Sequence, residues 1–198
     1  MNKLGFLFSA LFVLFLAAGA RSQTIEPSYE VSLQLLIGSN DVQRKGEIPA
    51  NLTSLSRQLK NSFAFSDYRL ASTFLGRIAN TGTFEYKSVT NIFGQEVPAA
   101  SASFLEWNMQ NFRNVAPAGS KPTFQAQMFR FGAKVPVTTG SSTDQSGKVS
   151  SMISWESIGL HVNRVGLPEN VPTLIGTLNL PGAGGTIFLV MTVRSTDL

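Results

Sequence analysis

His161 is the one histidine of a 198-residue chain that has no cysteine. The side chains that most often move protons or hold metals near neutral pH are therefore almost absent. His161 lies in Gly159-Leu-His-Val-Asn-Arg164, where it alternates with Leu160 and Val162. That alternation predicts the solvent side of a strand rather than the proton shuttle of a serine hydrolase, and no Gly-x-Ser-x-Gly elbow accompanies it. Zinc sites built on several His or Cys ligands, thiolate nucleophiles and disulfides are excluded by composition. Calcium would need clustered oxygens, and Asp144 in Ser141-Ser-Thr-Asp-Gln-Ser-Gly147 has no acidic neighbour.

Two other patterns invite chemistry. Glu106-Trp107 and Trp155-Glu156 place carboxylates beside rings on which a sugar could stack, as a glycosidase would require. Neighbours on a strand point to opposite faces, so each Glu and its Trp cannot share one cleft. Pro181-Gly-Ala-Gly-Gly185 is glycine-rich, but no Lys-Ser or Lys-Thr follows and no helix opens after it, so it predicts a hairpin loop and not a phosphate cradle. Asn51-Leu-Thr53 matches a glycosylation sequon but falls inside a predicted helix. The expectation is a protein without catalytic residues, cofactor or metal. The alternative is a carbohydrate- or surface-ligand-binding module that stacks its ligand on Trp107, Trp155 or Phe112.

The first residues describe transport. Lys3 is followed by a run, 4–18, that is apolar apart from Gly5 and Ser9, and Ala18-Gly-Ala20 and Ala20-Arg-Ser22 are small-residue cleavage patterns. These features predict a secretory signal peptide over residues 1–22, shorter than the roughly 20 apolar residues of a spanning helix. No later run is long and apolar enough to span a bilayer, so no membrane span is expected after cleavage. A lipid-anchored bacterial precursor would need a cysteine at the cleavage site. The full chain carries a formal charge of +4. Without Lys3 and Arg21, 14 of its 16 basic residues remain against 12 acidic ones, a charge of +2. Arg44-Lys45 is the one adjacent basic pair, so a nucleic-acid surface is not expected.

The elements that must position these residues are mostly strands. Residues 29–37 alternate apolar and polar, as does a strand with one buried face. Pro49 opens a helix over 50–62 whose Leu52, Leu55, Leu59 and Phe63 form one stripe, predicted to lie across a sheet. Strands are expected over 68–78, 83–89, 104–112, 123–137, 149–155 and 158–165. In 123–137, Phe124, Ala126, Met128 and Arg130 fall on one side and Phe129 and Phe131 on the other, which implies cover on both faces or a bent pair. Residues 138–148 hold no large apolar side chain and are expected to be the most mobile hairpin loop. Two β-rich runs, 173–180 and 186–193, close the chain. Ile187 to Met191 is apolar without a break, which predicts the central, dry strand of the fold. The fold class expected is α+β, mainly antiparallel β in sandwich-like sheets, with one amphipathic helix packed on a sheet. One domain is expected over 23–198, containing a strand-helix-strand-strand unit at 29–90 and an antiparallel β unit at 104–194. Its core alone must hold it, and roughly 176 residues can bury about 70% of the unfolded surface.

Two stretches carry a family resemblance. Pro49-Ala-Asn-Leu52 leading to Phe65-Ser-Asp-Tyr68-Arg-Leu70 resembles the Pro-x-x-Leu helix and Phe-x-x-Tyr-x-Leu strand of poorly characterised secreted bacterial proteins. Leu167-Pro-Glu-Asn-Val-Pro-Thr-Leu-Ile-Gly176 with Ile187-Phe-Leu-Val-Met-Thr-Val193 is similar to the closing strands of that group, and echoes a strand–turn–strand pattern of secretin-type envelope proteins. The chain lacks the long pore-forming region of secretins, so no pore is implied. The resemblance implies a periplasmic or outer-surface β-rich protein. Its partner would be another envelope protein or a copy of itself, met by edge-strand pairing or through the 138–148 segment.

Overall fold

The computed structural model describes residues 26–40, 47–90, 102–180 and 185–196. The expected signal peptide, the Arg44-Lys45 pair and most of the 181–185 loop lie outside the described residues. Among those described, nine strands and one helix follow in the order β1 (Ser28–Ser39), a 3-10 turn (Ala50–Leu52), α1 (Thr53–Ser62), β2 (Asp67–Ala79), β3 (Phe84–Thr90), β4 (Ser103–Gln110), β5 (Arg113–Asn114), β6 (Thr123–Thr143), β7 (Val149–Pro168), β8 (Thr173–Asn179) and β9 (Thr186–Ser195). All ladders between named strands are antiparallel. The fold is the expected mainly antiparallel β sandwich with one packed helix. No helix among the described residues is long and apolar enough to cross a membrane.

The strands form two sheets. Sheet I has the order β2-β1-β9-β8, and sheet II runs β3-β4-β6-β7, with β5 pairing beside β4 on the same edge of β6. Each sheet draws strands from distant parts of the chain, since β9 closes on β1 and β3 joins β4, β6 and β7. The inner faces meet in one core. Val31, Leu33 and Leu35 of β1 and Leu189 and Met191 of β9 pack against Leu105, Trp107 and Met109 of β4 and against Phe129 and Phe131 of β6.

Strand β9 is dry on both faces, as its unbroken apolar run requires. Ile187, Leu189, Met191 and Val193 point into the sandwich, while Phe188 and Val190 point outward under α1. There they meet Leu36 together with Leu52, Leu55 and Leu59 of the helix stripe. Phe188 is ringed by Phe63 at 4.9 Å, Tyr68 at 5.6 Å and Phe65 at 6.1 Å. The helix thus covers one part of the outer face of sheet I with a second, smaller core.

Strand β6 resolves its mixed pattern by bending with its partner. Phe124 and Ala126 face the core from even positions, and Phe129, Phe131 and Ala133 from odd ones. On β7 the inward positions change from Val165 and Leu167 to Ile158, Leu160 and Val162 at the same level. Arg164, opposite Gln127 in this register, takes φ 58° there. Both strands switch faces together, so pairing continues through the bend.

The 138–148 segment is corrected by the structure. Thr138 to Thr143 extend β6 and pair with Val149 to Ile153, and the turn is confined to 144–148. Ser and Thr bury little, but Thr is at home on a pleated strand, and β7 offers a complete ladder. Asp144 fixes the tip: its Oδ1 accepts from the backbone N–H groups of Ser146 and Lys148 at 2.9 Å and from the Ser146 hydroxyl at 2.6 Å. Gly147 supplies the positive φ, 80°, that closes the turn.

Candidate protein-binding face

The outer face of sheet II is built by three rungs of paired residues. Glu85, Asn108, Arg130 and His161 form one row across β3, β4, β6 and β7. Lys87, Glu106, Gly132 and Gly159 form the next, and Val89, Phe104, Lys134 and Ser157 the third. Alternation along each strand sends all of these side chains to the same side, away from the core. The face is concave, an open groove of about 1130 Å³. Two glycines opposite one another leave its floor without side chains. Gly159 is required where it stands: a Cβ there would lie 2.9 Å from the carbonyl oxygen of Phe131.

Two of the charges on this face pair along β3. The Lys87 ammonium lies 2.7 Å from Glu85 Oε1. The hydrogen bond and the charge of Glu85 hold the ammonium above its ordinary pKa, with a smaller contribution from Glu106. His161 is exposed and faces Arg130 across the β6–β7 ladder, the solvent-side position expected. Glu106 points into the groove, while Glu156 pairs with Val135 on the opposite face of the ribbon. Those two carboxylates, the pair that the Glu-Trp motifs suggested, are therefore separated by the sheet. No group of three or more His, Asp or Glu side chains among the described residues could hold a metal ion.

The aromatic residues divide sharply. Trp107 is 1% exposed and Phe112 is fully buried, so neither can present a ring to a ligand. Trp107 packs between Phe84, Tyr86 and Phe129. Trp155 is 43% exposed and Phe104 is 52% exposed, and their rings lie 5.7 Å apart at the end of the groove.

From that pair the face continues onto a projecting arm. The ladder between β4 and β6 ends at Phe104–Lys134, but β6 and β7 run on together through eight further pairs to Thr143–Val149. Among the described residues, nothing is laid on either side of this two-stranded ribbon near its tip. Every residue from Thr138 to Glu156 is open to solvent apart from half-buried Ile153. On the groove side its β7 strand presents Trp155, Ile153 and Val149, alternating with Ser151. Val89, Phe104, Trp155 and Ile153 thus form a single apolar stripe, and Val149 lies beyond the polar Ser141–Ser151 rung near the tip. Sequence reasoning missed it because three strands contribute to it, and only their register brings the residues together. No family model, curated protein or solved structure matches the chain.

Proposed function

We propose that the chain is a non-enzymatic, exported envelope or extracellular protein that binds another protein, or assembles, through the outer face of sheet II and the arm that continues it. One observation carries this reading. The stripe leaves Val89, Phe104 and Trp155 between 43% and 59% exposed on one continuous face, with Val149, 64% exposed, further along it. Contiguous exposed apolar surface of this kind marks an interaction site. A two-stranded ribbon is also marginal in water until something packs on it. Export rests on the charged, apolar and small-residue leader pattern at residues 1–22.

The test is chemical crosslinking in cells that make the protein, comparing the unaltered chain with a variant carrying Trp155→Ser and Ile153→Ser. An adduct that disappears in the variant, with thermal unfolding unchanged, supports the reading. A chain that forms no adduct at all sinks it.

Exposure of Trp155 favours a second reading, in which the Trp155–Phe104 pair is a platform for a carbohydrate or another surface ligand, with Lys134 and Glu106 supplying polar contacts. Titration with soluble polysaccharides, followed by tryptophan fluorescence, tests it. Trp107 is sealed in the core and gives a constant background, so any shift must come from Trp155 and vanish in Trp155→Phe.

A further inference from the structure

We infer that the occupant of the stripe is the same stripe on a second copy of this chain, the two arms packed face to face about a two-fold axis. This rests on the protein-binding reading above and names its partner.

Four properties of the face point to a copy of itself. First, it is neutral: from Pro136 outward, every side chain on the groove side of the ribbon is uncharged. A partner selected by charge would be met by charge, whereas an uncharged face can meet its own image without like charges colliding. Second, the charges that do exist lie at the two ends. Lys134, Arg130, Lys87 and Glu106 surround the base, and Asp144 and Lys148 form the tip. Antiparallel stacking about a two-fold sets each tip over the other copy's base, so that Asp144 comes level with Lys134.

Third, the size fits a self-association of modest strength. Eight rungs at about 3.3 Å give an arm of roughly 26 Å. With Phe104 and Val89 added, its face offers on the order of a few hundred Å² per chain, in the range of small, transient interfaces. Fourth, the geometry closes. Two ribbons stacked about 10 Å apart make a small sandwich in which each covers the other, and an isologous contact of this kind ends at the dimer instead of propagating. The centre of the outward β7 residues falls between Ser151 and Ile153, so these positions face their counterparts across the axis.

The chain has no cysteine, so single cysteines can be placed without background. The experiment joins purified full-length Ser151→Cys with a short bis-maleimide and compares it with Ser150→Cys, which sits one residue away on the opposite face of the ribbon. The inference expects Ser151→Cys to yield a covalent species of twice the chain mass and Ser150→Cys to stay single. It also expects sedimentation to show a monomer–dimer equilibrium that Trp155→Arg weakens at least tenfold. At concentrations too low for the dimer, thermal unfolding of Trp155→Arg should match the unaltered protein, because the arm lies outside the sandwich.

Equal joining at both positions, or an unaltered chain that stays monomeric at every concentration, overturns the inference. In that case the in-cell adducts decide the broader reading. An adduct of a different mass, lost in Trp155→Arg, keeps the protein-binding reading and identifies a foreign partner. The lack of any adduct removes both.

Discussion

The hydroxyl of Tyr68 on β2 donates to the carbonyl oxygen of Leu59 at 3.0 Å, in the last turn of α1. Tyr68 is 1% exposed, so this bond ties the helix to sheet I from inside the smaller core. The same carbonyl also accepts the Phe63 backbone N–H at 2.8 Å, and would keep a partner if the hydroxyl were removed. Tyr68→Phe should therefore cost only about 1 kcal/mol, read from urea unfolding.

The same residue sets an alkaline limit. Burial raises the Tyr68 hydroxyl above its ordinary pKa of 10.0. A group whose pKa is raised by folding contributes stability that is complete below the unfolded value and is lost as pH climbs through the folded one. Stability should therefore decline above pH 10 more steeply in the unaltered protein than in Tyr68→Phe. Parallel declines would show that Tyr68 is not the group responsible.

Gly132 and Gly159 face each other on one rung yet should respond differently to a methyl group. A Cβ at Gly132 would touch only Glu106 side-chain atoms, at 3.5 Å, whereas one at Gly159 would press on the Phe131 carbonyl at 2.9 Å. Gly132→Ala should be neutral to within about 0.5 kcal/mol, and Gly159→Ala should cost about 1–3 kcal/mol. Thermal unfolding of the two single variants is the measurement.

Two aromatic truncations should separate core from face. Phe188 is fully buried and touches three other rings, so Phe188→Ala should cost about 3–5 kcal/mol. Trp155→Ala removes a larger side chain but should change stability by no more than about 0.5 kcal/mol. Urea unfolding of the two variants, side by side, checks the contrast.

Acid should loosen the tip of the arm before the sandwich. Hydrogen bonds from Ser146 and Lys148 hold the Asp144 carboxyl below its ordinary pKa of 3.8. The order they provide is complete above that value and fades as pH falls through the lowered one. Protection of the Ser146 and Lys148 amides, taken relative to the intrinsic exchange rate at each pH, should fall there, and Asp144→Ala should show the lost protection already at neutral pH. Exchange at Leu189 should remain slow in both.

Much of the architecture was legible because burial leaves a periodic trace. Leu52, Leu55 and Leu59 recur at helical spacing, Leu105, Trp107 and Met109 at strand spacing, and Ile187 to Met191 without a break; each falls where that pattern requires. The arm was not legible as strand, since Thr138 to Thr143 bury nothing and so show no period at all. Their conformation comes from pairing with β7, a partner that composition does not reveal. The split of the two tryptophans was hidden for a related reason. Trp107 and Trp155 both occupy alternating runs, and only the inter-sheet packing decides which ring is sealed.

Because Leu33 pairs with Met191, the heart of sheet I joins two segments that lie far apart along the polypeptide. Strand β1 leaves the ribosome long before the strand that completes it. Until then β1 keeps an open edge next to Leu35 and Leu36, a hazard for off-pathway pairing. Closure over such a long loop also makes for slow folding. Completion of sheet I thus waits for β9, and a chain cut short before Thr186 would lack the strand that fills its centre.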